Sequence, residues 1–242
     1  MLYLGDNFYL NGVDGVDDDQ FQDKFELPYA DIDLRFDVVL GNHDYGGYGA
    51  GWDAWRPPYE IDYTAQSDKW YLPDYYYGLS EGDVDFFALD TNAIFWGDTE
   101  AQLDWLTTAT AASTAAWKIV FGHHPYISNG THGNAGEYDG FEWLPVANGE
   151  YVKDFMDEGL CGQVDVYLCG HDHALQWMEP TCGVEFLVSG GGSEATAIVG
   201  DGPAFYQEST EGLLWVEIDG NQFTGEFWGV DGTLHYTYRF TK

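Results

Sequence analysis

The sequence predicts a mixed α/β fold, a pair of mixed sheets flanked by helices, on three observations. Short apolar runs alternate with segments of helical spacing in the first part of the chain, which is the pattern of strands carrying helices on their faces. The last part is a series of strands joined by turns such as Asp219-Gly220 and Asp231-Gly232. Four of the apolar runs end in a glycine followed by oxygen or imidazole side chains. These are Gly5-Asp6-Asn7-Phe8-Tyr9, Gly41-Asn42-His43-Asp44, Gly122-His123-His124-Pro125 and Gly170-His171-Asp172-His173.

Taken in order, Leu2-Tyr3-Leu4 reads as a short buried strand that delivers Asp6. Asp17 to Phe25 has helical spacing, with Phe21 and Phe25 four apart on one face. Phe36 to Leu40 is a second buried strand and delivers Asn42 and His43. Tyr45 to Asp74 is rich in Gly, Pro, Trp and Tyr and reads as a long ordered loop. Tyr75 to Leu79 and Val84 to Leu89 form a hairpin turning at Glu81-Gly82-Asp83. Thr99 to Thr108 reads as a helix with Thr99 as N-cap and Leu103 and Leu106 facing inward. Trp117 to Phe121 is the strand feeding His123, and Asn129 to Val146 is a polar, Gly-rich loop. Glu150 to Glu158 is a helix with Gly159 as C-cap. Val164 to Cys169 precedes His171. Val184 to Val188, Leu213 to Ile218, Phe223 to Trp228 and Leu234 to Phe240 complete the strands. The chain shows no repeat and no low-complexity tract, so residues 1–242 are expected to form a single domain.

Composition excludes some functions. The formal charge is −34, from 42 acidic and 8 basic residues, which argues against a nucleic-acid partner because backbone binding needs clustered Lys and Arg. Such acidity reads as a solvated coat. No run approaches the roughly 18 apolar residues of a membrane span. Ten Trp and 18 Tyr raise the idea of a carbohydrate-binding module, but many of them sit in apolar strands or the Tyr45–Asp74 segment. Cys169, inside an apolar run, reads as a buried core thiol. Cys161 and Cys182 flank the strand that ends at Gly170, and meet as a disulfide if the next strand returns alongside it. That would fit an oxidising compartment.

Carboxylate and amide oxygens mixed with imidazoles suit iron, manganese and zinc, and a shared carboxylate among such ligands can hold two metals close together for phosphoester hydrolysis. In this arrangement the four clusters, with Val188-Ser189-Gly190-Gly191-Gly192 after the last of them, resemble the calcineurin-like metallophosphoesterases. Tyr9, three residues after Asp6, narrows the resemblance to the small purple (tartrate-resistant type) acid phosphatases, and it spans nearly the whole chain. The resemblance implies a four-layer α/β/β/α sandwich of two mixed sheets. It also implies roles: Asp6 bridging two metals, Tyr9 and His173 on a ferric iron, and Asn42, His123 and His171 on a second, divalent metal (iron, zinc or manganese). His171 and His173, two apart, would point the same way in an extended segment. His43 and His132 match the family's two further histidines, which would hold phosphate oxygens and protonate the leaving alkoxide. A metal-held hydroxide would attack phosphorus in line.

Other residues have plainer readings. Asp44 and Asp172 are expected to orient metal-bound imidazoles, with turn capping as the alternative. His124 is assigned no role, and His235 is placed on the surface of the terminal meander. The family pattern also has a metal-binding Asp in a Gly-Asp-x-Gly segment on a strand before Asp6, for which this chain has no room. The expectation is therefore an amino-terminally truncated domain lacking the first strand and helix, or else a natural variant that binds one metal or uses another acid such as Asp14 or Asp17 as a substitute. The predicted function is hydrolysis of small phosphate monoesters by a secreted or periplasmic monomer. A phosphodiesterase of the same superfamily, or a non-catalytic metal- or phosphate-binding protein, is the alternative.

Overall fold

The computed structural model describes residues 1–138, 140, 143–144 and 147–242. Three sheets are present among them. The first is parallel and joins β1 (Leu2–Tyr3), β2 (Phe36–Val38) and β3 (Trp70–Tyr71) in that order. The second has seven strands: β4 (Tyr77–Glu81), β5 (Val84–Ala88), β6 (Trp117–Phe121), β7 (Val166–Cys169), β8 (Leu175–Met178), β9 (Glu185–Ser189) and β10 (Ala204–Glu208). Their spatial order is β10-β8-β9-β7-β6-β5-β4. Its centre, β5-β6-β7-β9, is parallel, and both margins are antiparallel. The third sheet is the antiparallel meander β11 (Gly212–Asp219), β12 (Gln222–Gly229) and β13 (Leu234–Thr241).

The central strands are buried on both faces, and alternation divides their side chains between two cores. Ile119, Phe121, Val166, Leu168 and Leu187 pack toward the two smaller sheets. Val120, Tyr167, Cys169, Phe186 and Val188 pack the other way, against α2 (Thr91–Phe95), α3 (Glu100–Ala112) and α4 (Glu150–Gly159). Beyond the first small sheet lie a π-helical turn, Phe21–Glu26, and α1 (Pro57–Tyr63). There Phe21 stacks on Tyr63 and meets Trp70 edge-on. The expected mixed α/β arrangement, helices outside and sheets inside, is present, and its second layer is divided between the parallel and antiparallel three-stranded sheets.

Several local expectations are corrected. The segment read as a loop from Tyr45 to Asp74 contains a 3₁₀ turn (Gly47–Gly49), α1 and β3. The helix expected from Asp17 is one π-helical turn starting at Phe21, although Phe21 and Phe25 are buried together. Gly159 is the last residue of α4 rather than its cap. A Cβ there would lie 3.0 Å from Leu103 Cδ1 and 3.2 Å from Leu106 Cδ2, so the glycine serves the close approach of α4 to α3. Thr99 precedes α3, but its side chain makes no capping bond. α2, β8 and β10 have no counterpart among the elements the sequence predicts. Part of the Asn129–Val146 loop, namely Asp139, Phe141, Glu142, Pro145 and Val146, lies outside the described residues.

Cys161 and Cys182 are bonded, joining the end of α4 to the turn between β8 and β9. Cys169 is a buried free thiol.

Candidate metal centre

All four ligand-bearing clusters leave the carboxyl ends of parallel strands, two from the small sheet (β1, β2) and two from the large one (β6, β7). Neighbouring parallel strands end on one rim, so residues distant in sequence converge there. The glycines permit the close approach: a Cβ on Gly41 would lie 2.3 Å from both Asp6 N and Asp6 Oδ1.

Asp6 is the hub. Its Oδ2 accepts the Tyr9 hydroxyl at 2.7 Å and lies 3.3 Å from His123 Nε2, while Oδ1 accepts the His43 backbone N–H at 2.9 Å. Tyr9 Oη in turn lies 2.9 Å from His173 Nε2. On the other side, His123 Nε2 is 3.0 Å from Asn42 Oδ1 and 3.0 Å from His171 Nδ1. Asp6, Tyr9, Asn42, His123, His171 and His173 thus form one connected set, joined at Asp6 Oδ2. Asp6, His123 and His171 alone offer three ligand atoms within 4.8 Å of one another.

Hydrogen bonds to carbonyls fix two of the imidazoles. A carbonyl can only accept, so His123 Nδ1–H donates to Leu4 O at 2.8 Å and aims Nε2 at the cluster. His43 Nδ1–H likewise donates to Leu10 O at 2.9 Å and leaves Nε2 free. The His132 ring, on the solvent side, lies over His171 with centroids 4.0 Å apart.

The electrostatics match the geometry. Burial opposes ionisation of Asp6, but His123 and His43 outweigh it and hold the carboxyl well below its ordinary range. Burial likewise opposes charge on His123, and the Asp6 carboxylate raises its pKa. Burial, with the neighbouring His132 and His124, pushes His171 well below its ordinary value. Burial and then Asp6 push the Tyr9 phenol up, so it holds its proton until something displaces it. Asn42 Oδ1, His171 Nδ1 and Asp6 Oδ2 crowd around His123 Nε2, an arrangement that one shared proton serves poorly and a cation would serve well. The donor set of carboxylate, amide oxygen, phenol and imidazole suits iron, zinc or manganese.

Other expectations change. His171 sits at φ +65°, so the segment through His173 is not extended, and the two imidazoles reach different partners, His123 and Tyr9. Asp44 and Asp172 touch no ligand imidazole. Asp44 accepts N–H groups of Gly41 and Phe8 and the Asn7 amide, and Asp172 accepts the Ser128 hydroxyl and the His132 N–H. Both bind loops to one another. Asp14 pairs with Arg56, and Asp14 and Asp17 are exposed, so neither joins the cluster. His124, assigned no role, is a buried structural residue against Thr91 and Phe95. His235 pairs with Glu208.

Nothing in the sequence pattern marks the carbonyls of Leu4 and Leu10, or Glu194, whose Oε1 lies 3.7 Å from His173 Nδ1. The Tyr45–Asp74 segment does border the site: Gly49 O accepts the Asn42 amide at 2.7 Å, and Gly49 backs against the His43 ring.

Residues 1–175 match the family model described as calcineurin-like phosphoesterase. The chain is 31% identical over 218 residues to tartrate-resistant acid phosphatase type 5 of Sus scrofa, covering 80% of this chain and 58% of that protein. It is 32% identical over 217 residues to purple acid phosphatase 7 of Arabidopsis thaliana, covering 81% of this chain and 60% of the relative. These matches therefore span less than two thirds of either relative. Among solved structures, GAP50, the anchor in the inner membrane complex of Plasmodium, superposes with a TM-score of 0.75 at 22% identity. That match covers 99% of this chain and 77% of GAP50, and it bears on the fold alone.

Proposed function

The chain belongs to the calcineurin-like phosphoesterase family, and from that premise we propose that it hydrolyses phosphate monoesters at a centre of two cations. The observation that carries this reading is Asp6 Oδ2, which meets Tyr9 on one side and His123 on the other. Asp6 would be shared by both cations. Tyr9 and His173 would complete the site for a ferric iron, and Asn42, His123 and His171 the site for a divalent iron, zinc or manganese. Bound there, the cations would stabilise charge on the phosphoryl group and activate the water that attacks it in line.

The chain's own groups do the rest. Asp6 and His123 share a proton that a cation would replace, and Tyr9 would release its own, so loading liberates protons. His43, with Nδ1 held by Leu10 O, presents Nε2 to a substrate oxygen. His132 is stacked on His171 from the solvent side, as His43 lies over Tyr9. One of the two would hold phosphate oxygens, and the other would protonate the departing alkoxide. The disulfide supports an oxidising location, secreted or periplasmic. No helix among the described residues is long and apolar enough to cross a membrane.

The test is turnover of p-nitrophenyl phosphate and bis(p-nitrophenyl) phosphate by protein loaded with iron plus zinc or manganese, with metal content measured on the same sample. Metal-dependent hydrolysis favouring the monoester is expected. Two bound metals without turnover would overturn the reading, and a diester preference would make the chain a phosphodiesterase. Fewer than two metals, with tight phosphate binding and no turnover, would make it a binding protein. A tyrosinate–iron absorbance band, lost in Tyr9→Phe, is the expected mark of the ferric site.

A further inference from the structure

On the solvent side of the cluster, His132 ends a short segment, Ser128 to His132, that is folded around Asp172. Asp172, the residue between His171 and His173, has no solvent exposure, and Ser128 and Asn129 have 2% each. Asp172 Oδ2 accepts the Ser128 hydroxyl, and Oδ1 accepts the His132 backbone N–H at 2.9 Å. Gly130 presses on the same carboxylate, since a Cβ there would lie 2.2 Å from Asp172 Cγ. A side chain placed between two ligand histidines therefore carries the backbone of a third histidine.

The segment is gripped from behind by Gln176 of β8, which has no solvent exposure. Gln176 Nε2 donates to Ser128 Oγ at 2.9 Å, and Oε1 accepts the Asn129 N–H at 2.7 Å. These two bonds fix the amide, because turning it over would set its nitrogen against the Asn129 N–H. The Ser128 hydroxyl is then completely used. Its one proton goes to Asp172, and its two lone pairs accept from Gln176 and from the Gly130 N–H at 3.0 Å. Among the described residues, no hydrogen bond holds the His132 ring itself, which meets His171 only by stacking. Its place is set by its backbone.

We propose that Ser128 and Gln176 are positioning residues that set where the His132 imidazole stands over His171. The bonds run from β8 through Gln176 and Ser128 to Asp172, and from Asp172 to the His132 N–H. The anchor is firm, because β8 is paired on both sides, with β9 and with β10. Every polar group in the run is buried and satisfied, so losing one member leaves its partners without a substitute. Neither Ser128 nor Gln176 touches the ligand imidazoles, and both act through the loop backbone.

One measurement reads the role without metal or substrate. Ser128→Ala removes the hydroxyl, and Gln176→Met keeps the length of the side chain without its amide. In the metal-free protein, each should speed amide hydrogen exchange at Gly130 and His132 by about 10-fold. Exchange in β6 and β7 should stay as in the parent. Unchanged exchange at Gly130 and His132 in both variants would overturn the positioning role.

The link to catalysis rests on the reading of His132 given above, and a double-mutant cycle in the metal-loaded protein tests it. With p-nitrophenyl phosphate, Ser128→Ala should lower kcat/KM by about 10- to 100-fold, with metal content unaltered. Added to His132→Ala, the same change should cost nothing further, because the group it positions is already gone. Equal losses in the two backgrounds would mean a general structural effect and would overturn positioning through His132. Absence of turnover in the parent would defeat the phosphatase reading alone, since the exchange measurement still decides whether Ser128 and Gln176 hold the loop.

Discussion

Asp6 meets two demands at once: a carboxylate that faces two partners, and a backbone at φ +55°, a region that Asp and Asn tolerate better than most side chains. Asp6→Asn is therefore expected to keep the fold while losing metal, checked by an unchanged circular dichroism spectrum beside metal analysis of the purified variant. On the proposed reading, His43→Ala and His132→Ala would remove groups that touch substrate rather than metal. Each should lower kcat by about 10²- to 10⁴-fold with metal content unaltered, and a loss of metal would move that histidine into the metal shell. Gly41→Ala drives a methyl group into Asp6, and about 1–3 kcal/mol of stability should be lost in chemical denaturation. At this scale the sequence was informative where a glycine and its ligands stand together, as in Gly41-Asn42-His43. It was silent on Gln176, a lone amide in a short apolar run, whose importance comes from Ser128 and Asn129 far away in the chain.

Elements were legible in proportion to their length and periodicity. β11, β12 and β13 are eight residues each and are joined by Asp-Gly turns, and the sequence marks all three, β11 with full alternation. β8 is four residues, buried throughout, and shows no alternation to read. α1 lies in a Gly-, Pro- and Trp-rich stretch whose composition reads as loop, yet Pro57 and Pro58 stand at its first positions, where the missing N–H is harmless. The disulfide staples α4 to the β8–β9 turn across 21 residues. Replacing both cysteines with serine should lower stability by about 3 kcal/mol, measured as the shift in denaturant midpoint, and a reducing agent should have the same effect on the parent and none on the variant.

Across the whole molecule, 34 excess negative charges repel one another in the compact state more than in the expanded one. Salt screens that repulsion, so the thermal midpoint should rise with sodium chloride over a range where sucrose, matched for viscosity, does not account for the gain. Buried acids with raised pKa values, Asp44, Asp90 and Glu60 among them, add a pH dependence to the metal-free protein. Burial raises Asp44 to about 7, Asp6 adding to the rise, and raises Asp90 to about 6, while Glu60 is raised as well. Each holds its proton in the folded chain after the unfolded chain has lost it, so stability should fall from about pH 4 to about pH 7. The sequence by itself determined the four clusters, the strands behind them and the family they point to, because a ligand set placed after apolar runs is a local pattern. Only the tertiary structure decided that β1, β2, β6 and β7 end on one rim, that Asp6 Oδ2 lies between Tyr9 and His123, and that the Asn7 amide reaches both Asp44 and Glu60. Apart from Tyr9 with Asp6, those contacts join residues distant in the chain, and their existence depends on which strands lie side by side, a property that no local window of sequence carries.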